Sequence, residues 1–304
     1  MTILQQITER TFYIPGANNL GIVATGDGGA IAIDTGLDKD TGRLIRKALD
    51  EARLTLRAIV NTHHHADHIG GNDYLVRNVP GVEVYAPRLE AALIEHPILE
   101  PIYLSMGAQP IAQLQNKWLM AKGTPVQHII DGDRLTIAGV DLDIVALPGH
   151  SLGQIGVAID GVCFAADGFF GATILQKHGI PYAQDVGAQL ASLDRLAARN
   201  EHVFLPGHGD LTARGDLEEL LALNQAAVNR STDLVYAALG EPGDLSAVAR
   251  RVRAALGLNL FAIPQYAIFV SAVSAHLGYL AAQGRAHVDL DDRGMIWRAA
   301  NGVP

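Results

Sequence analysis

Between positions 61 and 72 the chain reads NTHHHADHIGGN, with four histidines and an aspartate packed into six residues directly after the apolar run LRAIV. Imidazole and carboxylate are the ordinary nitrogen and oxygen ligands of Zn²⁺ and related divalent ions, so this stretch asks for a metal. Three later residues answer it: His150 in LPGHSLGQIG, Asp167 in AADG and His208 in LPGHG. His63 and His65 alternate and can face one side, while Asp67 and His68 reach a second position. Two metals would then each need at least one further ligand, plus a bridge, and His150, His208 and Asp167 match that need in number and type. Two ions about 3.5 to 4 Å apart can share a hydroxide, because a bound water's pKa falls to about 7 on zinc.

The elements that must bring these residues together are legible in outline. FYIPGANNLGIVATGDGGAIAIDTG alternates short β-branched runs with Asn and Gly punctuation, the pattern of strands joined by tight turns. DKDTGRLIRKALDEARL carries apolar residues at helical spacing behind candidate N-caps, and RAIVNT then reads as a strand leading into the histidine loop. DRLTIAGVDLDIVALPGH, GVCFAADGFF and HVFLPGHG each contain a strand ending in a Gly-flanked polar residue, with an amphipathic helix over 186–200 between the last two. Side chains at strand ends of a layered α/β fold converge on one sheet edge, which is where such folds place their sites. From 88 to 128 the sequence reads as short helices broken at Pro97, Pro101 and Pro110, and its Tyr103, Met106, Trp118 and Met120 are candidates either for a pocket wall or for core cover. From 213 to 304 come Ala/Leu-rich helices and a terminal hairpin around Asp-Arg-Gly, a small winged-helix-like appendage to a catalytic unit over 1–212.

Composition narrows the function. Apolar residues make up 49% of the chain and charged residues 18%, and no apolar run reaches the roughly 20 residues needed to span a bilayer, so a globular, non-membrane protein is expected. The formal net charge of -9 disfavours nucleic acid as a partner. The opening MTILQQITERTFYIPG shows no basic region followed by an apolar one, and the single cysteine, Cys163, fits a reducing compartment, so the expected location is the cytoplasm.

The series HxHxDH at 63–68, Gly-His at 149–150, Asp167 and Gly-His at 207–208 resembles the metallo-β-lactamase superfamily, and Asp34 in IAIDTG is similar to that family's first motif. The resemblance runs from about residue 10 to 212. It implies an αββα sandwich, a subclass of α/β fold, in which His63, His65 and His150 bind one metal, Asp67, His68 and His208 a second, and Asp167 bridges. It further implies two divalent ions, zinc first with iron or manganese as substitutes, and a catalytic Asp67 that orients the bridging hydroxide. Asp34 is implied to be structural.

Within the family, THHHADHIGGN and PGHSLGQIG are similar to the glyoxalase II group of thioester hydrolases, but the basic, tyrosine-bearing segments that grip glutathione have no counterpart in the last 90 residues. The leading expectation is a dinuclear hydrolase that cleaves a thioester, lactone or ester of a small molecule with the metal-bridging hydroxide. The alternatives are an organophosphate or phosphoester hydrolase of the same fold, or a mononuclear iron enzyme similar to persulfide dioxygenases. His64 is expected to point away from the ligands, and His96, His128, His202, His276 and His287 have no spacing that recruits them. His178, just after Asp167 in sequence, is the best placed of the remainder to border a substrate. The nearly uncharged helix IPQYAIFVSAVSAHLGYLAAQG is expected to pack on the main domain or on a second subunit of a homodimer.

Overall fold

The computed structural model describes residues 3–177 and 179–300; His178 lies outside the described residues. Seven strands form the first sheet in sequence order: β1 (Gln5–Gln6), β2 (Thr11–Ile14), β3 (Leu20–Ala24), β4 (Gly29–Ile33), β5 (Thr55–Val60), β6 (Glu83–Pro87) and β7 (His128–Ile130). The second sheet holds β8 (Arg134–Ile137), β9 (Val140–Ala146), β10 (Ile155–Ile159), β11 (Val162–Ala166), β12 (Val203–Pro206) and β13 (Thr212–Ala213), ordered β13-β12-β11-β10-β9-β8. Strands β4 to β7 pair in parallel, as do β11 and β12, and the other neighbours are antiparallel.

The hydrophobic sets of the strands explain the layering. Val23, Ile31 and Val60 of the first sheet meet Leu142, Val157 and Phe164 of the second in one buried cluster, so the sheets lie face to face. The outer face of the first sheet presents Ile22, Ala30 and Ile59 to Ile45 and Leu49 of helix α1 (Lys39–Glu51) and to Leu75 of α3 (Asn72–Asn78), which follows the short α2 (Ala66–Ile69). The outer face of the second sheet carries Val145, Cys163 and Ala165, and is covered by α7 (Val186–Ala197), which follows the short α6 (Ala172–Lys177), and by α8 (Arg214–Ala237). Strands buried on both faces read as continuous apolar runs, which is why GAIAI and VCFAA lack alternation. The result is the αββα order. Cys163 is packed into this outer layer, and burial pushes its thiol up to about 12, so it is inert.

The 88–128 stretch contains α4 (Arg88–Glu95) and α5 (Leu99–Leu104). Pro101 does not break a helix as expected: it sits in the first turn of α5, where the missing N–H has no intrahelical acceptor to lose. Met106 and Trp118 are 94% and 64% exposed, so neither is a pocket wall; Met120 and Tyr103 are half-buried, and of these two Tyr103 lines a groove.

Beyond α8 the chain forms α9 (Leu245–Ala255), α10 (Ile263–Ala282) and the hairpin β14 (Ala286–Asp291) with β15 (Gly294–Ala299), around a core of Val235, Val248, Val273 and Leu277. No helix among the described residues is long and apolar enough to cross a membrane. In this core the Nδ1–H of His276 donates to Thr232 Oγ1 at 2.9 Å, and burial pushes the imidazole down to about 4. A depressed histidine stabilises the fold above its unfolded value, and that contribution is lost as pH falls from about 6.5 to 4, on the order of 2 to 3 kcal/mol. The gap between thermal midpoints at pH 7 and pH 4.5 should therefore shrink in His276→Gln; an equal gap in both proteins would rule this out.

Candidate metal centre

Five of the seven predicted residues stand just beyond the end of a strand. His63 and His65 follow β5, His150 follows β9, Asp167 follows β11 and His208 follows β12. Because β5 belongs to one sheet and the others to the second, the two sheet edges close over a common space. Asp67 and His68 are not on an open loop: Ala66–Ile69 winds one helical turn, which carries them to the far side of that space.

The inward atoms form two groups. His63 Nε2 lies 3.1 Å and His150 Nε2 lies 2.8 Å from His65 Nδ1, while Asp67, His68 and His208 form the other trio, with His208 Nε2 3.1 Å from Asp67 Oδ2. Asp167 lies between them: Oδ1 is 3.4 Å from His68 Nε2, and Oδ2 is 3.2 Å from His150 Nε2 and 3.7 Å from His208 Nε2.

On four of the five histidines the outward nitrogen is occupied by the protein. His150 Nδ1–H donates to the Tyr182 carbonyl at 3.0 Å, His208 Nδ1–H to the Ala17 carbonyl at 2.6 Å, and His68 Nδ1–H to Asp34 Oδ2 at 2.8 Å. His63 Nδ1 lies 3.0 Å from Thr62 Oγ1, whose own proton goes to Asp34. Such outer bonds fix each tautomer and leave the inward lone pair free for a cation. Asp34, His63 and His68 also cluster, but the Asp34 oxygens are consumed by Thr62 and His68, so it supports the site and offers no free ligand atom.

His68 Nε2 and Asp167 Oδ1 are buried without a hydrogen-bond partner, a costly arrangement in a native interior unless a further group satisfies them. A divalent cation fits: burial drives His63 and His65 well below the ordinary histidine value, aided by the neighbouring imidazoles, so both stand neutral as ligands must. Burial would lower His68 and His208 too, but Asp167 and the other carboxylates outweigh it, raising His68 well above its usual value and His208 to about 9. Gly207 is needed for this closeness, since a Cβ there would come within 2.3 Å of Asp167 Oδ1.

The sequence profile of the metallo-beta-lactamase superfamily matches residues 13–208, a span that contains every one of these side chains. The chain belongs to the metallo-beta-lactamase superfamily. The whole architecture is similar to a beta-lactamase domain protein from Burkholderia ambifaria, at a TM-score of 0.73 and 17% identity over 98% of this chain and 93% of that one. It is also similar to a metallo-beta-lactamase family protein from Thermus thermophilus, at a TM-score of 0.66 and 22% identity over 98% of this chain and 97% of that one. These two likenesses establish the superfamily fold. In sequence, 136 residues are 34% identical to the hydroxyacylglutathione hydrolase of Vibrio campbellii, covering 45% of this chain and 42% of that protein. The chain thus spans less than half the length of that relative.

Several residues that support the site carry no signal in the sequence pattern. Glu90, on α4, is buried and accepts from the His64 N–H and imidazole through Oε2, and from Ser151 Oγ and the Gly153 N–H through Oε1. It therefore ties the loop of His63 and His65 to the loop of His150. His64 turns away from the ligands, as expected, but into this clamp and toward the Tyr103 hydroxyl 3.3 Å away. Asn18 and Asn19, read from sequence only as turn residues, donate to the carbonyls of Asp67, Pro206 and Gly209. Asn224 on α8 pairs with both the N–H and the carbonyl of Phe170, whose ring lies 5.7 Å from that of His150. His128 stacks on Tyr85 at the surface, far from any of this.

His64→Ala should lower stability by about 1 to 3 kcal/mol, the usual result of leaving a buried polar partner unsatisfied, with metal content per chain unchanged. A loss of metal equal to that in His65→Ala would mean that His64 faces the centre.

Proposed function

We propose that the protein is a hydrolase that holds two divalent metal ions, zinc in the first instance, and cleaves a small ester-like bond, a thioester or a lactone or ester. The observation that carries this reading is the pair of trios with Asp167 between them and with the outward nitrogens of His63, His68, His150 and His208 already bonded. His63, His65 and His150 would hold one ion, Asp67, His68 and His208 the other, and Asp167 both. Such a pair supplies Lewis acidity, which makes water a nucleophile at neutral pH and offsets the charge of an oxyanion.

The chain's own groups do the remainder. Asp67 is partly exposed at the mouth, and it stays ionised because His68 and His208 outweigh the effect of burial; its carboxylate accepts a hydrogen bond from the attacking water and fixes its direction. Phe170 and Tyr182 flank the imidazoles and restrict the access of bulk water. The name of the Vibrio campbellii relative, a hydroxyacylglutathione hydrolase, supports hydrolysis as the reaction class. The single, buried cysteine supports a cytoplasmic location.

The test is element-resolved mass spectrometry of the purified protein, followed by a screen of thioesters, lactones, aryl esters and phosphoesters. About two zinc ions per chain with ester or thioester turnover is the expected result. One iron per chain with oxygen consumption on persulfides would overturn it, and turnover confined to phosphoesters would move the reading to that class.

A further inference from the structure

Beside the metal centre lies a groove of about 820 Å³ between α10, α5 and the 184–187 segment that leads into α7. Its long wall is one face of α10, where Ser271, Ser274, Ala275, Gly278 and Ala282 recur at three- and four-residue spacing. At 1.5 Å per residue that face is ~16 Å long. One end is formed by Tyr103, whose hydroxyl lies 3.3 Å from Nε2 of His64, on the side turned away from the two trios. Next to it the Tyr182 hydroxyl sits among Ser271, Gln184 and Tyr103, and the Tyr182 ring is 5.6 and 5.5 Å from the rings of His65 and His150. The groove thus ends at Tyr103, with Tyr182 between that end and the imidazoles of His65 and His150, and runs away from them along the helix.

Its charge is what selects an occupant. Among the described residues that line it there is no lysine or arginine, and the one charged side chain, Asp185, is engaged in capping α7 through the Ala188 N–H. Glu100, a second acidic residue, is buried near Tyr103, and burial raises its pKa well above the ordinary carboxyl value. A peptide-like carrier bearing carboxylates would find no cation to pair with and would lose the water that solvates them. A neutral chain loses nothing of this kind and covers the Ala, Gly, Leu152 and Val186 surface.

We infer that the groove binds an extended, uncharged acyl chain of the substrate, so that the enzyme acts on neutral acyl esters, lactones or thioesters and not on glutathione conjugates. The reaction in this inference rests on the proposed hydrolase activity; the binding of the chain does not.

Gly278 offers a clean way to fill the groove. A Cβ built there meets nothing within 4 Å, so Gly278→Leu projects into open space, and replacing a mid-helix glycine favours the helix. Ser274→Leu, exposed on the same face, is a second variant should the first fail to fold. Calorimetric titration with octanamide, a neutral probe, should show binding to the native protein that weakens at least tenfold in Gly278→Leu. The ratio of kcat/KM for p-nitrophenyl octanoate to that for the acetate should fall at least tenfold in the same variant. Octanamide binding without turnover of any ester would uphold the groove and sink the hydrolase reading. Turnover of the acetate with no octanamide binding and no chain-length preference would overturn the groove and leave the hydrolase reading standing. Faster turnover of a glutathione thioester than of any neutral acyl substrate also overturns the inference, as does a native dimer that Gly278→Leu splits while octanamide fails to bind.

Discussion

Asp67→Ala is expected to lower kcat/KM by about 10³-fold or more, since on the proposed two-metal reading it removes both a ligand of the second trio and the group that directs the attacking water. Its carboxylate contacts His208 Nε2 at 3.1 Å, while its side chain is 35% exposed. Little core packing therefore depends on it, and the far-ultraviolet circular dichroism spectrum should not change. Bound metal should fall from about two ions per chain toward one, because the second trio loses its carboxylate, while His68 and His208 keep their positions through Asp34 and the Ala17 carbonyl. Turnover within tenfold of the native enzyme would sink the two-metal reading, and an unfolded spectrum would mean that the carboxylate is structural.

Metal removal should have the larger effect on stability. Asp167 and His68 are almost wholly buried, and each presents an atom with no partner among the described residues. A cation that binds only the folded chain stabilises it by about 4 kcal/mol at a thousand times its Kd. With about 2 to 4 °C of midpoint per kcal/mol for a chain of this size, treatment with a strong chelator should lower the thermal midpoint by roughly 8 °C or more. Activity should vanish at the same time, and added Zn²⁺ should restore both. A midpoint that moves by less than about 2 °C, with activity retained, would mean that the cluster needs no metal.

On the proposed reading, the two tests separate residues that touch the reaction from those that hold them. Asp67, His65 and His208 are the partly exposed members of the set, so they form the mouth, whereas His63, His68 and Asp167 form the floor. Behind the floor, Asp34 holds His68 and Thr62, and Glu90 binds the two histidine loops together. Asp34 and Ala166 both adopt positive φ, at 60° and 47°, a conformation that costs a residue bearing a side chain about 1 kcal/mol or more. Each stands where a strand ends at the centre, so part of the stability of the fold is spent on aiming a carboxylate.

The sequence by itself determined the candidate ligand residues, their order and the strand ends that carry most of them. These are local properties: an apolar run followed by a Gly-flanked histidine or aspartate is visible within ten residues, and the rhythm of strand and helix follows from hydrophobic period. Tertiary structure alone decided which side chains meet, because the partners are far apart in the chain. His65 and His150 are separated by 85 positions, and Asn19 and Gly209 by 190. Their approach depends on the register of two sheets that no periodicity encodes. The same reason hid Glu90, an acidic residue on an amphipathic helix whose sequence reads as solvent-facing, although it is 1% exposed and bonded to two loops. It also hid the groove along α10, since a run of Ser, Ala and Gly on a helix reads equally as a packing face until the neighbours that leave it uncovered are in place.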